Sequence, residues 1–142
     1  MSDSVLQAKG NAIYPETVTD LSAAIGKLVV FTAGVPAVSA SATVAAIGIV
    51  LDARKRVVGA VTTYDNAIGI LGGIPGPVRA MISATSAALS FGDALQQAAD
   101  GTLTKDLGAG HARVTVGILT DLNGAVAGDL AEVTLFTPKI GS

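Results

Sequence analysis

The chain has 142 residues, half of them apolar, with nine Lys and Arg against eleven Asp and Glu, one His and no Cys. That length supports one compact domain. The net charge of −2 is too small and too dispersed to hold a polyanion by counterion release, and the missing cysteines exclude disulfides, thiolate metal sites and cysteine nucleophiles. Only 14% of the residues are charged, where soluble domains carry about 25%. A monomer of this mass exposes on the order of 6,700 Å², so its surface is thinly charged, as expected of a surface covered by copies of the chain or by a partner.

Residues 1–26 read as an N-terminal arm, with Asp3, Lys9, Asn11, Tyr14, Pro15, Glu16 and Asp20 scattered among few large apolar residues. The start, Met1-Ser2-Asp3-Ser4, lacks a basic stretch followed by an apolar core, so no secretory leader is expected. Two readings of the arm stand side by side. In one it is a disordered leader; in the other it ends in a helical turn capped by Asp20 and stopped by Gly26.

Residues 27–142 read as a single β-rich domain. Short runs rich in Val, Ile and Thr, bounded by Gly, Pro, Asn or Asp, predict strands over 27–32, 43–51, 57–63, 67–71, 78–83, 113–120 and 130–137. The 17 glycines would cut any long helix and suit turns and bulges. Leu28 to Leu51 carries no charge and is long enough to cross a bilayer, but Pro36 and the hydroxyls of Thr32, Ser39, Ser41 and Thr43 fit two strands joined by a turn region of Gly34, Pro36, Ala37 and Ser39 better than a lipid-facing helix. No membrane span is expected. The stretch from Ala45 to Leu51 is apolar on both faces, which calls for a sandwich or barrel interior or another subunit. Asp100-Gly101 and Asn123-Gly124 read as hairpin turns. Phe91 to Ala99 is the one segment with an alternative helical reading, from its Ala-Leu-Gln-Gln-Ala-Ala. Gly92-Asp93 and Gly128-Asp129 each read as a turn that opens a strand. The predicted fold is therefore mainly β, a small barrel or sandwich with an extended N-terminal arm and at most one or two short helices.

Candidates for chemistry are sparse. His111, in a glycine-rich loop, reads as a solvated residue; alone in the chain, it could serve only as a lone general base. Asp52, Asp65, Asp93, Asp121 and Asp129 stand in turn-like sequence, where an aspartate bonds its own backbone. Asp121-Leu122-Asn123-Gly124 has its glycine too early for a calcium loop and no closing acid. The glycines at 69, 72, 73 and 76 lack the lysine and the spacing of a phosphate loop, and Pro75 and Pro77 remove amide donors; this reads as a loop, one that could be fitted to a neighbour. Asp52-Ala53-Arg54-Lys55-Arg56 reads as a solvated turn between two apolar strands, with docking on an acidic partner as the sharper alternative. Neither a metal nor a cofactor is expected.

The order of several pieces resembles the small decoration, or cement, proteins on the capsids of tailed double-stranded DNA phages. The pieces are the arm from Thr17-Val18-Thr19, then Gly26-Lys27-Leu28-Val29-Val30, Ile47-Gly48-Ile49-Val50-Leu51, Ser90-Phe91-Gly92-Asp93-Ala94-Leu95 and Asp100-Gly101-Thr102-Leu103. Val116-Gly117-Ile118-Leu119 and the stretch from Ala127 to Leu135 close the series. The resemblance implies a non-catalytic homotrimer made in the host cytoplasm and carried on the outer surface of the virion, where it binds the major capsid protein and braces the shell. It implies a capsid-contact role for the arm residues Tyr14, Pro15, Glu16, Thr17 and Val18. Segment 52–79 departs from the family pattern, being longer and richer in glycine and proline. Two rival readings remain: a tail, fibre or glycan-binding adhesion module, and a small hydrolase with an interface carboxylate such as Asp93 or Asp129.

Overall fold

The computed structural model describes residues 12–14, 16, 17 and 19–142. Among them are eleven strands: β1 (Ala12–Ile13), β2 (Glu16–Thr17), β3 (Leu28–Thr32), β4 (Val35–Val38), β5 (Gly48–Val58), β6 (Val61–Ile70), β7 (Val78–Met81), β8 (Ala94–Gln97), β9 (Leu103–Lys105), β10 (Arg113–Leu119) and β11 (Leu130–Gly141). The single helical element described is a 3-10 turn at Ser22–Ala24. It falls between Asp20 and Gly26 as predicted, but its N-cap residue is Leu21, with no side-chain cap bond; Asp20, one residue earlier, accepts a hydrogen bond from the Ser22 amide at 2.9 Å, and Gly26 takes φ +88°.

The strands form two antiparallel sheets. The first runs β1-β6-β5-β3-β4, with β2 also on the outer edge of β6, and curls into a half barrel. The second runs β7-β11-β10-β8-β9. Between them lies the larger core, in which Leu28, Ile49 and Leu71 of the first layer meet Leu95, Leu103, Val114, Val116, Leu119 and Val133 of the second. A smaller core covers the other face of the first sheet, where Leu21 and Ala24 from the 3-10 turn close over Val29, Val50 and Ile68. The apolar stretch of β5 is thus buried on both faces within its own chain. Each such fully buried side chain stabilises the fold by about 1.5–3 kcal/mol.

Two predicted elements end up elsewhere, and one open alternative is decided, each for a physical reason. Residues 43–47 are not a strand. Side chains take the backbone partners of Thr43, Val44 and Ala46: Gln97 Oε1 accepts from the Ala46 amide at 2.7 Å and Gln97 Nε2 donates to the carbonyls of Ser41 and Val44, while Ser41 Oγ accepts from the amides of Thr43 and Val44; Ile47 alone bonds backbone on both sides, at Val29 and Leu71. The turn between β3 and β4 lies at Ala33-Gly34, both at positive φ. Pro36 sits inside β4 opposite Phe31, and an edge strand tolerates its missing N–H. Residues 94–97 are a strand despite their helix propensity, since β10 and β9 pair with them from both sides and tertiary pairing outweighs a weak local preference.

The largest correction concerns Asp52 to Arg56. They are not a turn but the middle of an eleven-residue strand, and Asp65 likewise lies inside β6. The reversal comes later, at Gly59-Ala60, where Gly59 has φ +62°. Positive φ at the first central residue of a two-residue loop is what a II′ hairpin asks of glycine.

Candidate interaction surface

The β5–β6 hairpin has an inner half locked in the sheet and an outer half that leaves it. β3 pairs with β5 only at Ile49 and Gly48, and the last strand residues laid on β6 are Glu16 and Thr17, opposite Asp65 and Tyr64. Beyond that point, among the described residues, the two strands pair only with each other, out to Val58 opposite Val61. Directly opposed residues share a face. Arg54, Arg56 and Val58, with Asp65, Thr63 and Val61, continue the face that farther in meets the second sheet. Lys55 and Val57, with Tyr64 and Thr62, continue the face covered farther in by the N-terminal segment. Val57, Val58 and Val61 at the tip are each more than half exposed.

At the arm, the structure brings some of the sequence-chosen residues together. Half-buried Tyr14 lies between β1 and β2. Thr17 pairs with Tyr64, and its hydroxyl accepts from the Thr19 amide at 3.1 Å. Glu16 holds the register position opposite Asp65. Pro15 and Val18 lie outside the described residues. Nearby, the fully buried Asn66 donates from Nδ2 to the Thr19 carbonyl at 3.2 Å, tying this segment to β6.

A second set of exposed apolar residues sits on turns at one end of the second sheet. Gly92-Asp93 and Gly128-Asp129 form two copies of one device, each just before a strand. In the first, the Asp93 amide donates to the Ser90 carbonyl and the Ser90 amide donates to Asp93 Oδ2 at 2.8 Å. In the second, Asp129 bonds Val126 in the same two ways, the carboxylate contact being 2.9 Å. Gly92 and Gly128 take φ +88° and +85°, as the third position of a type II turn requires. Reciprocal hydrogen bonds between Leu89 and Ala125 hold the turns side by side. Asp121 accepts from the Asn123 amide in a third turn beside them. Phe91, Leu122 and Val126, one on each turn, are all more than half exposed.

These bonds account for Asp93, Asp121 and Asp129 as turn formers, and Asp52 accepts from the Ala53 amide within its strand. His111 is exposed and its carbonyl accepts from Arg113 Nη1. Among the described residues no three His, Asp or Glu side chains converge on a metal-sized site, and no helix is long and apolar enough to cross a membrane. The loop over 71–77 is fitted to its own chain: Leu71 is buried, Ile74 packs against the larger core, and the Gly72 backbone lies against Thr137 of β11.

The main buried electrostatic feature serves the fold. Burial of Asp106 disfavours its charge, but the Thr115 hydroxyl, the Gly108 amide at 2.6 Å and the Arg113 guanidinium, with Nε at 2.9 Å, together hold its carboxyl below the usual range. Asp100 is also lowered, first by the Thr102 hydroxyl bonded to it, with its own partial burial working the other way.

Sequence reading missed the projecting hairpin because it stopped β5 at the charged run. The signal was present in Val57-Val58-Gly59-Ala60-Val61, a glycine-led two-residue loop between β-branched residues. No family model, curated protein or solved structure matches the chain.

Proposed function

We propose that the chain is a non-catalytic decoration protein that binds the outer surface of a phage capsid as a homotrimer. The resemblance in the order of its segments supports this reading, and one structural observation carries it physically: a hydrogen-bonded two-stranded ribbon that leaves the sheet and ends in three exposed valines. A surface binder needs apolar area held in place before docking, because preorganisation limits the entropy lost.

The magnitudes favour several copies acting together. Burying three valine side chains yields roughly 5 kcal/mol, while association costs about 4–15 kcal/mol. A single tip cannot hold the chain on a shell. An oligomer presenting several tips spends the association cost once and gains each later contact at high effective concentration. The sparse charge, 14% of residues, fits surfaces that end up covered.

Cryo-electron microscopy of virions from the phage that encodes the chain tests the proposal. The expected result is density for three copies around a local axis on the outside of the head. Heads bare of this chain would overturn it.

A further inference from the structure

Two of the exposed apolar groups carry opposite charge. The hairpin tip, residues 55–64, contains Lys55 and Arg56 and no carboxylate within its own residues, Asp20 of the N-terminal segment being the carboxylate on which Lys55 acts, beside exposed Val57, Val58 and Val61. The paired turns, residues 89–93 and 120–129, contain Asp93, Asp121 and Asp129 and no Lys or Arg, beside exposed Phe91, Leu122 and Val126. The nearest cation with a contact there is Lys105, whose Nζ lies 3.6 Å from Asp93 Oδ2 in a partly exposed pair.

The geometry points to a contact between copies in which the β5–β6 tip of one subunit packs on the paired Gly-Asp turns of the next. This rests on the proposed homo-oligomer and assigns its mating surfaces. Contact of tip with tip, or of turns with turns, would place like charges together, and such juxtapositions cost several kcal/mol. Tip on turns brings cations to carboxylates and valines to Phe91, Leu122 and Val126. The two patches are different surfaces, so a contact that uses each of them with a different neighbour is head-to-tail, the kind that closes into a ring when the rotation between subunits allows. The tip is a hydrogen-bonded ribbon, and each Gly-Asp turn is closed by a backbone bond and a carboxylate bond.

Leu122 gives a clean test, because it is 83% exposed and its replacement leaves the core untouched. The full-length protein and its variants would be followed by light scattering over a concentration series, with far-UV circular dichroism to show that each folds. Leu122→Lys faces the tip cations and should raise the dissociation constant on the order of tenfold or more, while Leu122→Glu, which removes the same apolar area, should raise it less. Lys55→Glu with Arg56→Glu should also weaken assembly. In that background the order reverses: Leu122→Lys should return to within about threefold of the wild type and Leu122→Glu should not. Val58→Ser reads the face that Val58 shares with Arg56, without a change of charge, and should also weaken assembly. An associated wild type whose mass and dissociation are unchanged in every variant would overturn this contact and leave the oligomer standing. A wild type that is monomeric at all concentrations would remove both.

Discussion

The inner and outer halves of the β5–β6 hairpin share one continuous ladder and live under opposite constraints. Ile49, Val50 and Ile68 on the inner half are fully buried, Ile49 in the core between the sheets and the other two beneath the 3-10 turn. Val57, Val58 and Val61 on the outer half pack against neither core. The comparison teaches that the backbone pairing of a ribbon continues without a core, while the contribution of its side chains to stability does not. Residue type alone does not separate the halves, since both are rich in valine and isoleucine.

The two halves should respond differently when the same kind of bulk is removed from each. Ile49→Ala should cost about 2–5 kcal/mol, because the cavity lies between two sheets that cannot both collapse onto it. Denaturant titration measures the loss as a lower midpoint at unchanged slope. A cost below about 1 kcal/mol would mean that the inner half is as loosely held as the outer.

Gln97 sharpens the same point from the polar side. Its buried amide serves one donor and two acceptors of the 41–46 backbone, so Gln97→Leu takes the partner from the Ala46 amide and the Val44 carbonyl, the Ser41 carbonyl keeping the Ser39 hydroxyl, and should cost about 2–3 kcal/mol. The loss should come with faster hydrogen exchange at the Ala46 amide, which the Gln97 side chain holds. A variant as stable as the wild type, with the Ala46 amide still protected, would show that water replaces the glutamine.

Asp106 provides a pH-dependent version. Its folded pKa lies below the unfolded value, so it binds fewer protons when folded; its contribution is present at neutral pH and is lost as pH falls from about 4 through the depressed value. Asp100, shifted the same way, adds to that loss. Asp106→Asn should flatten the acid limb of stability against pH and cost about 1–2 kcal/mol at pH 7, while leaving the hairpin tip unaffected. An acid limb identical to the wild type's would show that other carboxylates carry it.

Much of the fold was legible because turn chemistry is local. Asp100-Gly101 and the two Gly-Asp pairs fall where their residue types place them, Asn123-Gly124 closes a turn within the longer connection from β10 to β11, and of the apolar run ending at Leu51 the part from Gly48 to Val50 is buried on both faces while Ile47 is exposed. Long-range substitution of backbone partners was not legible: nothing near residue 46 announces that a glutamine 51 positions away will take its amide. The charged run from Arg54 to Arg56 misled for a related reason. A strand needs an apolar face only where something covers it, and here nothing described does. For the candidate surface, the arm residues were read from resemblance, whereas the tip valines and Leu122 stand out only once burial is known.

The smallest expected effect tests the outer half itself. Val57→Thr keeps the β-branch and opposes Thr62 on an exposed face, so it should change stability by no more than about 0.5 kcal/mol. The measurement is best made at two protein concentrations well apart. If the tip is covered in an assembly, the same substitution should cost more at the higher concentration, since binding between copies adds to the apparent stability of the folded state by mass action. A cost near 2 kcal/mol that is independent of concentration would place Val57 in contact with its own chain, and the contrast between the two halves of the hairpin would fail.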